Sequence, residues 1–105
     1  MSKPEQAGNA RPTLRIDKWL WQARFFKTRG LASKMVLRGK LRVNGQRVAK
    51  PGRGVGAGDV LTFVQAKEIR VVRVLACGAR RGPAVEAQAL YFDLQNAEHD
   101  VSTLE

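Results

Sequence analysis

The sequence contains one cysteine and one histidine, and that scarcity removes most catalytic and metal chemistry at the outset. A lone Cys77 cannot close an internal disulfide or build a multi-cysteine metal site, which suits a reducing compartment. It reads as a small buried residue rather than a nucleophile. His99 lies in an acidic stretch near the end, so no imidazole is placed to activate Cys77 or a serine in the part expected to be ordered. No apolar run approaches the roughly 18 residues of a membrane span. Residues 1–12 lack the apolar core of a signal peptide. A cytoplasmic protein without membrane contact is expected. Acids are scarce too: 9 Asp and Glu against 19 Lys and Arg, a formal net charge of +10. Such an excess makes polyanions the first partners to consider.

The charge is concentrated. Residues 11–53 hold thirteen basic residues and a single acid, Asp17, whereas residues 54–105 hold five basic and seven acidic residues. A surface charged only for solubility would mix the signs along the chain, so this segment has the character of an electrostatic footprint for nucleic acid. At 105 residues the chain fits one domain. A polar tail is expected over 1–12, a domain over 13–94, and an acidic, fraying tail over 95–105.

Ile16, Trp19, Leu20 and Ala23 repeat at helical spacing and predict a first helix from about Ile16 to Phe25, with Asp17 favouring its N-terminus. Lys18, Trp21 and Phe25 fall roughly opposite that stripe. Trp21 and Phe25 have two readings, stacking on bases or packing against the C-terminal segment near Tyr91 and Phe92. Exposed aromatic pairs are uncommon, so packing is expected. Thr28 predicts the cap of a second helix whose apolar face is Leu31, Ala32, Met35 and Val36, ending at Gly39. The two form a helix–turn–helix-like hairpin around Lys27.

Beyond Gly39 the period becomes two. Asn44-Gly45 between Leu41–Val43 and Gln46–Val48 is a strong hairpin signal. Lys50 to Asp59, with Pro51 and four glycines, is expected to be loop. Val60–Val64 and Glu68–Leu75 predict antiparallel strands, and Ala84–Leu94 a short helix leading into an extended end. The fold class is therefore α+β, two N-terminal helices on a small antiparallel or mixed sheet with a short C-terminal helix or extension.

No residue set supports catalysis. Asp17 reads as a cap or ion-pair partner and Asp59 as a turn residue, not as an acid–base pair. The alternating glycines 52, 54, 56 and 58 do not form a nucleotide-cradling loop. The basic residues carry the signal. Arg24, Lys27, Thr28 and Arg29 cluster where the second helix begins, and a helix N-terminus flanked by cations is a phosphate site. Lys34 and Arg38 lie one turn apart, and Lys40, Arg42 and Arg47 extend the charge into the hairpin.

Taken together, Arg15-Ile16-Asp17-Lys18-Trp19-Leu20-Trp21, Ala23-Arg24-Phe25 and Lys27-Thr28-Arg29 resemble the opening of the alpha-L RNA-binding domain, named for ribosomal small-subunit protein four. Gly39, Val43-Asn44-Gly45, Lys50-Pro51 and Gly58-Asp59 continue the match in order, covering about residues 14–64. The Trp-Leu-Trp run, the Arg80–Ala84 loop and Leu90-Tyr91 are similar to the bacterial ribosome-associated fifteen-kilodalton heat-shock protein family. The resemblance implies a non-catalytic protein, without metal or cofactor, that binds ribosomal RNA of the large subunit. In that family the free subunit still carries tRNA-linked nascent chain and is recycled after stress. It also implies RNA-facing roles for Arg15, Lys18, Arg24, Lys27, Thr28, Arg29, Lys34, Arg38, Asn44, Gly45 and Lys50. The expected partners are structured RNA, with tRNA as a further one, and the expected state is a monomer. Three alternatives compete: a helix–turn–helix DNA-binding regulator, an RNA-binding appendage of an RNA-modifying enzyme, and a protein-interaction module, which leaves the basic segment unexplained.

Overall fold

The computed structural model describes residues 11–94. The chain enters through a two-residue strand β1 (Leu14–Arg15) and passes into helix α1 (Ile16–Gln22) and helix α2 (Arg29–Leu37). Strands β2 (Leu41–Val43), β3 (Gln46–Val48), β4 (Gly54–Val55), β5 (Val60–Gln65) and β6 (Glu68–Val74) follow, then helix α3 (Ala84–Gln88) and strand β7 (Tyr91–Asp93). The main sheet is antiparallel throughout with strand order β3-β2-β5-β6-β7, and β1 pairs with β4 in a separate two-stranded ribbon. The expected α+β class and the two-helix start are found.

The apolar periods explain the packing. Ile16, Trp19 and Leu20 from α1 and Ala23 just after it, with Ala32, Met35 and Val36 from α2, close over Leu41, Val43, Leu61, Phe63, Val72 and Val74 of the sheet. Burying that much aliphatic and aromatic surface is the main driving force for the fold. Trp19 is fully buried, and its indole N–H donates to the carbonyl of Ala76 at 2.9 Å, so the one polar atom of that side chain is satisfied.

The first helix is shorter than its apolar period suggests. It ends at Gln22, Ala23 closes it, and Arg24 adopts φ 66°, the left-handed conformation that terminates a helix. That turn swings Phe25 off the helical wheel and into the core. Its ring lies 5.0 Å from Phe63 and 4.6 Å from Tyr91, centre to centre. The expectation that Phe25 continues the outer face is thus corrected, and the packing reading of its ring is the one the structure shows.

The glycine-rich stretch is also more ordered than a plain loop. Gly54 and Val55 pair with Arg15 and Leu14. The carbonyls of Arg53 and Pro51 accept from the N–H groups of Ile16 and Asp17 at 2.8 and 3.2 Å. The start of α1 is capped by this backbone, with no side-chain cap. The 44–45 hairpin has the left-handed φ values, 52° and 84°, of a tight two-residue turn. Of the expected terminal tails, residues 1–10 and 95–105, with His99, lie outside the described residues. Arg11 is held: its guanidinium donates to the Ala57 carbonyl at 2.8 Å and pairs with Asp59 at 3.2 Å.

Candidate RNA-binding surface

Two buried carboxylates organise the basic half. Asp17, on the first turn of α1, is 3 % exposed. It accepts from Arg15 through both oxygens at 3.1 and 3.0 Å and from the Ser33 hydroxyl of α2 at 2.9 Å, and it lies 3.5 Å from the Arg29 guanidinium. Burial on its own would raise the Asp17 carboxyl, but the hydrogen bonds from Arg15 and Ser33 and the charges of Arg15 and Arg29 together hold it below the usual range. This carboxylate ties β1, α1 and α2 together and fixes where Arg15 and Arg29 stand, both about half-exposed.

Asp59 is more than a turn residue. Its oxygens accept from the Gly56 N–H at 3.0 Å, the Asn44 amide at 3.0 Å and Arg11. Burial again opposes the charged form, and these donors with the charge of Arg11 outweigh it, so this carboxyl too is lowered. The Asn44 side chain is spent inside the protein, because its carbonyl oxygen also accepts from the Val60 N–H at 2.9 Å. Asn44 and Gly45 therefore shape the β2–β3 hairpin.

Most of the remaining cations have no ion pair, and the longest run of them lies in the basic segment. Among the described residues, Lys18, Lys27, Lys34, Arg38, Lys40, Arg42, Arg47, Lys50 and Arg53 have no ion pair. Farther along the chain, Arg70 pairs with Asp93 and Arg80 with Glu86, whereas Lys67, Arg73 and Arg81 have no ion pair. In the basic segment the reason is compositional: Asp17 is the single acid available between residues 11 and 53, and it is already shared. Unpaired surface cations keep their full attraction for phosphate.

The predicted residues do not all meet at one point. Arg15, Arg29 and Ser33 converge on Asp17. Lys34, Arg38 and Lys40 rim a groove of about 470 Å³ floored by Phe26, Met35 and Val64. Thr28 caps α2 by accepting from the Leu31 N–H at 3.1 Å, so one N–H of that terminus is already used. Arg24 points away from this cluster, its Nε donating to the Gly82 carbonyl at 2.7 Å. Lys50 is exposed just beyond β3.

Sequence reasoning missed Ser33 and the anchoring of Arg24 and Arg81. Arg81 donates to the Trp21 carbonyl at 3.0 Å and lies over the Trp21 ring at 5.7 Å. Neither contact has a local signal, since they span about sixty residues. Cys77 is partly buried; burial first, with Asp59 nearby, raises its thiol despite the opposing charge of Arg11, which disfavours the reactive thiolate.

Comparisons with known proteins agree with this geometry. The S4 domain profile matches residues 14–61, the segment holding both helices and the first hairpin. The chain is 49% identical over 82 residues to the heat shock protein 15 homolog of Aeromonas salmonicida, covering 78% of this chain and 61% of that protein. It is also 49% identical over 78 residues to heat shock protein 15 of Escherichia coli K12, covering 74% and 58%. The aligned part thus spans about three fifths of the length of these curated relatives. The RQC P-site tRNA stabilizing factor of Listeria innocua is 43% identical over 92 residues, covering 86% of this chain and 96% of that protein. Among solved structures, the trimeric heat shock protein 15 of Vibrio cholerae superposes with a TM-score of 0.74 at 38% identity, covering 88% of this chain and 96% of the other.

Proposed function

Because the chain belongs to the heat shock protein 15 family and carries its S4 domain, we propose that it is a non-catalytic RNA-binding protein that docks on ribosomal RNA. The row of cations without ion pairs from Lys18 to Arg53 is the observation that carries this reading. Phosphates approaching that face displace condensed counterions, and each neutralised phosphate adds to affinity and to its salt dependence. Arg15 and Arg29, held by Asp17, supply forked donors at a fixed position for the shape of a folded RNA. The RNA-facing set is Arg15, Lys18, Arg24, Lys27, Thr28, Arg29, Lys34, Arg38, Asn44, Gly45 and Lys50, with Asn44 and Gly45 acting through the hairpin backbone.

The finer reading is that the free large ribosomal subunit, still carrying tRNA-linked nascent chain, is the target, in the recycling of stalled subunits under stress. The names of the relatives support it: two Listeria proteins are P-site tRNA stabilizing factors, and the others are heat shock proteins. The trimer described for the Vibrio cholerae protein runs against the monomer expected for this chain.

A competition at fixed salt tests the class of nucleic acid. Ribosomal RNA fragments should displace a labelled RNA from the chain at concentrations at which duplex DNA of equal length does not. Equal displacement by DNA would overturn the RNA reading and favour a DNA-binding regulator.

A further inference from the structure

The main sheet has two faces, and the helices cover one of them. Leu41, Leu61, Phe63, Val72 and Val74 are buried in the core with α1 and α2. Side chains alternate along a strand, so the residues between these point the other way. The registers set them in rows. Arg47, Arg42, Thr62 and Val71 stand side by side across β3, β2, β5 and β6. Val60, Arg73 and Phe92 do so across β5, β6 and β7, and Val64 pairs with Ile69. None of these residues is buried. Ile69 is 58 % exposed and Phe92 50 %. A depression of about 180 Å³ lies among Lys40, Arg42, Thr62, Val64 and Ile69. Folded chains rarely leave a contiguous apolar patch open to water, and one rimmed by polar groups marks a binding site.

Charge on this face selects the partner. Arg42, Arg47 and Arg73 have no ion pair among the described residues. The acids of the same strands fall on the covered side. Asp93 is in register with Val72 and holds Arg70. Glu68 is opposite Gln65, whose amide donates to the Phe25 carbonyl at 2.6 Å. Two copies stacked through this face would set arginine against arginine, which like-charge repulsion disfavours. A polyanion meets no such opposition. Phe92, directly across from Arg73, narrows the choice further. A duplex hides the faces of its bases, whereas an unpaired strand stacks them on an exposed ring while cations track its phosphates.

We propose that the open face of the sheet is a second RNA surface, which takes an unpaired RNA strand: its bases lie against Phe92 and the aliphatic side chains, and its phosphates meet Arg42, Arg47 and Arg73. The proposal rests on the RNA-binding reading above and adds a surface to it. The helix side takes folded RNA, and the far side of the sheet takes a single strand. Arg42 and Arg47 belong to the S4 segment, so the unpaired charge continues from the first surface onto the second. Contact through stacking carries little sequence preference.

The test uses the full isotope-labelled chain and two probes: an oligouridylate of about eight nucleotides, which has no structure of its own, and a folded ribosomal RNA fragment. The oligouridylate should shift the amides of Thr62, Val71, Arg73 and Phe92. Phe92→Ala should weaken its binding about tenfold, the worth of one stacked base, and Phe92→Tyr should bind as the parent does. Arg73→Gln should weaken it as well. All three variants should hold the folded fragment as tightly as the parent, which also shows that they fold. Silent sheet amides, or parent-like strand binding by Phe92→Ala, overturn the proposal. Equal loss of both probes overturns it too, because the two surfaces would then be one. Sheet amides that move with protein concentration alone assign the face to a second copy and overturn it. Folded RNA bound beside a silent sheet sinks this proposal alone, and failure of both probes sinks the underlying reading with it.

Discussion

At the scale of single residues, the junction of β1, α1 and α2 depends on one buried acid. Asp17 collects Arg15, Arg29 and Ser33, so an amide in its place removes the charge that holds two cations and one of the two oxygens they and the half-buried Ser33 hydroxyl share. Asp17→Asn should lower unfolding free energy by about 1–3 kcal/mol, less than for a fully buried pair because both arginines are half-exposed. Urea denaturation checks it. Asp17 and Asp59 both titrate below the usual carboxylate range in the fold. A lowered folded value means the charged form is preferred in the native state. The stability these groups add is thus present above the unfolded value of about 3.9 and is lost as pH falls through the folded values. Melting temperature should be level near neutrality and drop below about pH 4, and Asp17→Asn should reduce that acid-side drop. An unchanged acid profile would remove Asp17 from the account.

At the scale of elements, what the sequence reveals depends on how local the cause is. The cap at Thr28, the stop at Gly39 and the Asn44-Gly45 turn were legible, because each is set by neighbours within a few residues. Thr28→Ala should cost about 1 kcal/mol of stability through loss of the Leu31 N–H acceptor, measured by thermal melting. Gly39 carries φ +75°, and a Cβ there would collide with the Arg47 guanidinium, so Gly39→Ala should destabilise as well. The early end of α1 was not legible: Arg24 has no local reason to turn left-handed, and the gain comes from placing Phe25 against Phe63 and Tyr91. The β1–β4 ribbon escaped for the same reason, since two residues on each side are too few to show a period of two. The charged residues proposed to face RNA stand out by composition, whereas the hydrogen bond of Asn44 to Asp59 is a contact fifteen residues away.

At the scale of the whole molecule, the fold sorts charge. Asp93 and Glu86 hold Arg70 and Arg80, while in the S4 segment only Arg15 and Arg29 are ion-paired, both to Asp17, and the other described cations there have no ion pair. Affinity for RNA should accordingly fall steeply with salt. Replacing Lys34 or Arg38, neither of which holds the fold by an ion pair, should reduce the slope of log K against log salt by roughly 1 each. The most direct measurement is gradient fractionation of a cell lysate, comparing the native chain with a Lys27→Glu, Lys34→Glu, Arg38→Glu variant that melts at the same temperature. The account predicts that the native chain migrates with free large subunits and that the variant stays at the top. A native chain that remains at the top, after heat stress as well, would contradict it.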